Sequence, residues 1–354
     1  MKRKKVFILD KHQFGDLTDT YKWCYYLRNE YDVTLLCFDL GLRKTVVEGV
    51  KVKYVSYKGT LTVRGIRYIM YCLWNLLFFR GVILVVYFEH CDWLKQLLFW
   101  KKMILDIRTL SVSSQNDVRI KYDKAVVGAC KLFDIVSVIS KGVKDKIGNI
   151  GKFITILPLG ADCISHNKKD YSILKLIYVG TFNGRDLDKT IKGTALFCEK
   201  HPEVDLTYDI IGFGNGNELE EYKKLSLQLG LSSKVIFHGR IANHLLGPYF
   251  DKTNIGVSFV PITEYYNHQP PTKTFEYVLS GLFVIATATD ENKCIITPEN
   301  GVLIQDTEED FALALEFIWK NRLLFNEYQI RSSLKNYLWE NIIEQYLKPI
   351  LEKM

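Results

Sequence analysis

Short apolar runs of strand length alternate with amphipathic segments along most of the chain. In the first half the runs are Lys5–Leu9, Val33–Phe38, Val50–Ser56, Val82–Tyr87, Met103–Leu105, Ile135–Ile139 and Phe153–Leu157. Helical periodicity falls between them, as over Asp19–Asn29, Trp93–Lys101 and Asp117–Leu132. A second series has runs at Leu174–Val179, Leu206–Ile211, Lys234–Phe237, Ile255–Phe259 and Val284–Ala286. Strand–helix alternation of this kind predicts parallel, doubly wound α/β sheets, one in each half. Two such domains facing each other are expected to bind ligands in a cleft at the carboxyl ends of their strands.

Length and charge sharpen the division. A chain of 354 residues exceeds what one hydrophobic core usually supports. Residues 1–160 hold 27 Lys and Arg against 14 Asp and Glu, whereas residues 161–354 hold 20 against 26. No proline precedes Pro158, and the other seven of the eight follow it. The polar segment Leu159–Tyr171, which includes HNKKD, reads as a linker. A basic half invites an anionic membrane surface or nucleic acid as partner. No zinc-finger, basic-zipper or RNP1-like string accompanies it, so nucleic acid is not expected.

The segment Tyr68–Phe88 resembles a membrane span until Asn75, Arg80 and Gly81 are counted. An arginine at mid-span costs roughly 2.5–3.5 kcal/mol on insertion scales. A helix ending near Arg80, followed by a buried strand, explains it better. That helix, with Ile66, Tyr68, Ile69, Tyr71, Leu73, Trp74, Leu76, Leu77, Phe78 and Phe79, is apolar almost all round. It reads as a doubly buried helix or as an interfacial membrane-docking one. The eight cysteines include no CxxC pair and read as reduced thiols of a cytoplasmic protein. The opening MKRKKVFILD is too short in its apolar part for a signal peptide and reads as a first strand.

Candidate chemistry gathers in the second half around Gln269–Thr287. Pro270-Pro271 cannot lie inside a helix or a central strand. Thr272–Ser280 then reads as a short helix, capped by Thr274 and stopped at Gly281, with a buried strand over Leu282–Ala286. The free N–H groups of such a helix, with Lys273 and Glu276 in its first turns, make an anion site with a second role for the carboxylate, such as binding sugar hydroxyls. The run Leu174–Val179 ends in GTFNGRDLDKTIKG. There Gly180 and Gly184 permit close approach of a ligand, Arg185 offers bidentate bonds to phosphate, and Lys192 or Lys189 adds charge. The next strand ends in IIGFGNG, with Gly212, Gly214 and Gly216 before a helix near Glu218. Three loops converging on one end favour nucleotide binding over plain turn chemistry.

The first half offers less. The loop DKHQFGD holds Gly15 but no dinucleotide fingerprint, which argues against an NAD-binding domain. Asp106 and Arg108 stand two apart at a strand's carboxyl end, either facing the cleft or forming a structural ion pair. His12, His90 and His268 lie in loops, where a solvated side chain is the plain reading. The string Asp186-Leu187-Asp188 opens a helix and reads as capping, so no catalytic metal or other cofactor is expected. No HExxH, GxSxG or P-loop string occurs.

Taken in order, ILPLGAD, YVGTFNGRDLDKTIKG, DIIGFGNG, VIFHGRI and PTKTFEYVLSGLFVIAT make the chain resemble the retaining glycosyltransferases of family 4, glycosyl transferases group 1, over nearly its full length. The resemblance implies a GT-B fold, with residues 1–160 binding the acceptor and residues 161–336 binding a nucleoside-diphosphate sugar. It also implies a C-terminal helix near Tyr337–Lys353 that rejoins the first domain. Arg185 and Lys192 would contact the diphosphate, and Glu276 would hold the ribose hydroxyls. Gly15, Gly180, Thr181, Gly212, Gly214, His268, Thr272, Lys273 and Tyr277 complete the expected donor site, while Asp106 and Arg108 replace the family's acceptor-side histidine.

Two departures stand out. Thr181 occupies the place of the usual arginine after the strand, and His268 that of the first of two glutamates eight apart. The function implied is sugar transfer with retention and without metal, the leaving phosphate helping to deprotonate the acceptor hydroxyl. The expected acceptor is a lipid-linked saccharide for surface polysaccharide, met by an enzyme in peripheral contact with a membrane. A catalytically silent sugar-nucleotide-binding scaffold and a GT-B sugar-nucleotide epimerase stay open as alternatives. A nucleic-acid module is the remotest.

Overall fold

The computed structural model describes residues 3–354. The chain forms two compact units, one built from the chain up to Leu159 together with Trp339–Met354, the other from Gly160–Leu338.

The first unit is a seven-stranded, wholly parallel sheet. Its strands are β1 (Lys4–Leu9), β2 (Tyr31–Asp39), β3 (Val50–Ser56), β4 (Val82–Val86), β5 (Ile104–Ile107), β6 (Ile135–Val138) and β7 (Ile154–Ile156). The order is β3-β2-β1-β4-β5-β6-β7, so the direction of winding reverses between β1 and β4. Interior strands such as β4 and β5 are buried at every position, as expected when helices cover both faces, whereas edge strand β3 is mostly open. The crossovers are α1 (Thr18–Leu27), α2 (Leu61–Leu77), α3 (Cys91–Leu97), α4 (Asn116–Leu132) and α5 (Lys141–Ile147).

The second unit repeats the plan with six parallel strands. They are β8 (Leu174–Thr181), β9 (Leu206–Phe213), β10 (Val235–Gly239), β11 (Ile255–Ser258), β12 (Phe283–Thr287) and β13 (Gly301–Ile304), in the order β10-β9-β8-β11-β12-β13. Its helices are α6 (Leu187–Lys200), α7 (Glu218–Gln228), α8 (Gly247–Lys252), α9 (Thr272–Leu279), α10 (Asp290–Ile295), α11 (Glu308–Asn321) and α12 (Glu327–Ser333). Gly193 of α6 lets α11 approach closely, since a Cβ there would meet the Glu308 carbonyl at 2.5 Å. Past Leu338 the chain rejoins the first unit as α13 (Trp339–Ile342), a π turn over Ile343–Leu347 and α14 (Lys348–Glu352), where Lys348 pairs with Glu30 at 2.6 Å.

Four expectations change. The segment read as a linker is packed into the second unit. Ser280 Oγ accepts from the Ile164 and Ser165 amides, and the Tyr171 hydroxyl donates to Gly281. Thr274 is not a cap: α9 starts at Thr272, and the Thr274 hydroxyl is buried between Ser258 and Asn292. Asp186 precedes α6 in the left-handed region, φ +49°, and pairs with Lys189 rather than capping an amide. Finally, α2 is buried on one side only. Tyr68, Ile69, Cys72 and Leu76 face the sheet, while Ile66, Met70, Trp74 and Phe78, four apart, are 55%, 59%, 78% and 82% exposed. No helix of the described residues is long and apolar enough to cross a membrane.

Candidate functional site

At the carboxyl end of the second sheet, β8, the turn after it and the start of α9 bring two cations together. Pro271 precedes α9 in an extended conformation and turns the chain so that Lys273 falls in the first helical turn. The Lys273 ammonium is buried, 3.7 Å from the centre of the Tyr178 ring, with no hydrogen-bond acceptor among the described residues. Burial first, and then the Arg185 charge, lower its pKa well below that of an ordinary lysine, with Glu276 opposing. The Arg185 guanidinium lies 4.4 Å from the centre of the Tyr266 ring, and its Nη1 is likewise buried without an acceptor.

Two aromatic faces thus hold two like charges. A cation over a ring gains about 0.5–2 kcal/mol, far short of what a bound anion offers in such a site. Buried charges are normally paired, and these two nitrogens have no hydrogen-bond acceptor among the described residues.

The glycines frame this pair. Gly180 has φ +153°, and a Cβ there would meet Lys273 Nζ at 2.8 Å. Gly184 has φ +62°, and a Cβ there would meet the Tyr266 hydroxyl at 3.0 Å. Both positions leave room for the cations and the rings that carry them.

The remaining predicted residues divide. Thr272 and Glu276 share α9 with Lys273, and Glu276 acts on the Lys273 charge. Thr181 ends β8, its carbonyl accepting from the Tyr178 hydroxyl at 2.7 Å. His268 lies before the Pro-Pro turn, with Nδ1 3.8 Å from the Asp290 carboxylate. Gly15 belongs to the first unit, with φ +94° and the Thr45 side chain against it.

Other expectations need correcting. Lys192 is committed elsewhere: it pairs with Asp188 at 2.9 Å, one helical turn back, and with Glu308 at 3.6 Å. Tyr277 is a core residue without exposure, its hydroxyl accepting from the Val179 amide. The IIGFGNG loop is closed on itself. Gly212 is needed because the Gly180 carbonyl would lie 1.8 Å from its Cβ, and the Asn215 and Gly216 amides donate to Asn183 and Glu218. A Cβ on Gly214 would strike that same Glu218 carboxylate at 2.3 Å.

Asp106 and Arg108 are interior residues of the first unit. Arg108 bonds to Asp19 and to the Leu157 carbonyl, and its Nε lies 3.7 Å from Asp106. Burial pushes the Asp106 carboxyl up to about 6, against the pull of Arg108 and a hydrogen bond from Ser137. This is a structural ion network. Sequence reasoning also missed Tyr178 and Tyr266, which read there as a strand residue and a loop residue.

Residues 174–321 match the family described as glycosyl transferases group 1. No curated protein matches the chain by sequence. Solved structures resemble it over both units. Anabaena Alr3699/HepE in complex with UDP and glucose has a TM-score of 0.77 at 12% identity, covering 99% of this chain and 100% of that one. Sucrose-phosphate synthase from Thermosynechococcus elongatus has a TM-score of 0.76 at 14% identity, covering 99% of each chain. The lipopolysaccharide outer core galactosyltransferase WaaB, apo form, has a TM-score of 0.73 at 15% identity, covering 99% of this chain and 100% of that one. The fold is therefore GT-B, the two-sheet fold of group 1 glycosyltransferases, as the resemblance implied.

Proposed function

We propose that this protein is a retaining glycosyltransferase that takes its sugar from a nucleoside diphosphate and needs no metal to do so. The observation that carries the reading is the pair of buried cationic nitrogens without a hydrogen-bond acceptor among the described residues, Arg185 Nη1 and Lys273 Nζ. A diphosphate lying across them and the amino end of α9 would neutralise both. The same charges would then stabilise the diphosphate as it leaves, work that a metal ion does in many phosphate sites. Glu276, one turn further along α9, is suited to accept hydrogen bonds from the ribose hydroxyls. UDP is the first nucleotide to try, since the Anabaena neighbour was crystallised with it.

On this reading the first unit holds the acceptor, a saccharide on a lipid carrier destined for surface polysaccharide. The stripe Ile66, Met70, Trp74 and Phe78, flanked by Arg64 and Arg67 on the same helix, suits peripheral contact with an anionic bilayer. The protein would then work at the cytoplasmic face of a membrane.

The test is thermal unfolding with UDP, GDP, ADP or CDP in the presence of a chelator. A ligand at 100 times its dissociation constant stabilises by about 2.7 kcal/mol, and one of the four is expected to do so. No shift with any of them would overturn the donor site. Retention is then read from the anomeric configuration of the product by NMR. Membrane contact is read from pelleting with vesicles of graded phosphatidylglycerol content, and pelleting that ignores lipid charge would remove that part.

A further inference from the structure

In the second sheet β8 outruns its neighbour β11. Their last paired residues are Ile177 and Gly256, while β8 stays paired with β9 as far as Thr181. Backbone groups alternate along a strand, so successive residues serve opposite neighbours. Lys175 turns its amide and carbonyl toward Asn254, which leads into β11, whereas the Leu174 amide turns toward Asp205, which leads into β9. Val179 has the parity of Lys175, and its amide therefore points past the end of β11, where no strand accepts it. A strand N–H kept from water needs an acceptor. Here a side chain supplies one: the Tyr277 hydroxyl, at 2.8 Å, on a residue with no exposure.

Room for that ring is built in. Tyr277 passes β11 at Gly256, where a Cβ would lie 2.4 Å from the Tyr277 Cγ, and it rests against Phe250 with ring centres 5.6 Å apart. The bond closes a circuit through the anion site. Lys273 and Tyr277 stand four apart on α9 and share a face. From the Tyr277 hydroxyl the circuit runs to Val179, back one residue to Tyr178, and from the centre of its ring 3.7 Å to the Lys273 ammonium. Gly180, on the other side of Val179, would place a Cβ 2.8 Å from the same ammonium. One hydroxyl thus ties the helix that carries the ammonium to the ring and turn that receive it. Binding groups act fully only when held within about 0.5 Å of their working geometry.

We propose that Tyr277 is a positioning residue of the anion site: without touching the ligand, its hydroxyl holds the Val179–Gly180 end of β8 at the spacing from α9 that lets Lys273 meet a phosphate. This rests on the donor reading above. A second tyrosine supplies the comparison. The Tyr171 hydroxyl donates to the Gly281 carbonyl at 2.5 Å, just past the carboxyl end of the same helix, and so anchors α9 away from the site.

The full chain and its variants are titrated by calorimetry with UDP and with inorganic pyrophosphate, which carries neither base nor sugar. Tyr277→Phe keeps the ring and deletes one oxygen, and should weaken both ligands about five- to tenfold. Tyr171→Phe also strips one hydroxyl from a backbone bond, yet should bind both within about twofold of the wild type. In a Lys273→Met background Tyr277→Phe should cost less than about twofold, because the group it positions is gone. A tyrosine that only fills the core would weaken binding equally in both backgrounds. Amide exchange in the wild-type chain needs no substitution and covers a variant too unstable to titrate. Pyrophosphate should slow the Val179 amide and the α9 amides by a common factor, since they open together.

The proposal is overturned if Tyr277→Phe binds like the wild type, if Tyr171→Phe loses as much affinity, if the loss persists in full beside Lys273→Met, or if pyrophosphate slows exchange in α9 alone. Any of these results with a wild type that binds UDP or pyrophosphate sinks the role of Tyr277 and leaves the donor reading standing. A wild type that binds neither, nor GDP, ADP or CDP, sinks the donor reading and this role with it.

Discussion

Each unit places an arginine near the carboxyl end of its sheet, Arg108 buried and Arg185 partly so, and the two are treated differently. In the first unit Arg108 is paired with Asp19, bonded to the Leu157 carbonyl and set beside Asp106. In the second unit Arg185 and Lys273 rest on the rings of Tyr266 and Tyr178, with buried nitrogens that find no acceptor. The same chemistry serves two ends. The first network, though Arg108 Nε and Asp106 Oδ2 also lack hydrogen-bond partners, joins opposite charges that hold the fold, whereas on the reading proposed above the second pair of like charges keeps its energy for a ligand. Removing a charge should therefore cost stability in the first unit and binding in the second.

The largest effect is expected where the network is closed. Asp19→Asn leaves Arg108 buried with its main counter-charge gone, a change that typically costs about 3–5 kcal/mol. Denaturant unfolding should show it, with UDP shifting the transition as in the wild type. Unchanged stability would mean that the network is solvated and the contrast false. Asp106 adds a sign to the same experiment. With its carboxyl raised to about 6 from 3.8, the folded chain holds a proton between those values that the unfolded chain has lost. Its contribution to stability is thus full below about pH 3.8 and fades as pH rises through about 6.

Next comes the open pair. Lys273→Met keeps the length of the side chain and removes the charge, so the free protein should be as stable as the wild type or more so. Nucleotide affinity should fall roughly 10- to 150-fold, the loss of about 1.5–3 kcal/mol for a hydrogen bond to a charged group. Arg185→Met should behave alike. A variant that loses stability yet binds UDP as tightly as the wild type would invert the comparison and assign Lys273 to the core.

Both sheets were legible in the sequence, because buried parallel strands read as unbroken apolar runs. β13 escaped, being four residues long and opening with Gly301, which sits against the Val284 carbonyl. The covered side of α2 was not legible either. An all-round apolar helix says nothing of where tertiary partners stop, and only the contacts separate buried Cys72 from exposed Trp74.

In the candidate site Lys273 stood out, fixed by the Pro-Pro turn before it. Lys192 misled, although Asp188 four residues earlier on the same helix already offered it a partner. The glycines after β9 misled for another reason. Their task is to let Gly180 and Glu218 come close, and a packing glycine looks in sequence like a ligand-binding one.

A smaller effect tests the frame around the open pair. Gly180→Ala puts a Cβ 2.8 Å from the Lys273 ammonium, the movable end of a flexible side chain, at a φ that alanine resists. A cost of about 1–3 kcal/mol in stability is expected, with a several-fold loss of UDP affinity. Gly212→Ala meets backbone instead, the Gly180 carbonyl at 1.8 Å, and should be the worse of the two. Equal losses in both would mean that the ammonium is as immobile as the backbone.

The smallest signal separates the two units most directly, because only an open cation changes its protonation when a ligand arrives. Lys273 titrates well below an ordinary lysine. Between that depressed value and 10.5 the unfolded chain keeps a proton that the folded chain has given up, so stability rises with pH across the window. A bound diphosphate supplies the missing counter-charge and raises the Lys273 pKa again. UDP binding in that window must then take up a fraction of a proton, in the direction opposite to a ligand that binds by losing one. Calorimetry at one pH in two buffers of different ionisation heat measures the uptake. The pH should stay above about 7.5, clear of a phosphate's second ionisation near 6. Lys273→Met should abolish the buffer dependence, while Asp19→Asn, which disturbs only the closed network, should leave it intact. Uptake that persists in Lys273→Met would move the titrating group elsewhere and remove Lys273 from the diphosphate.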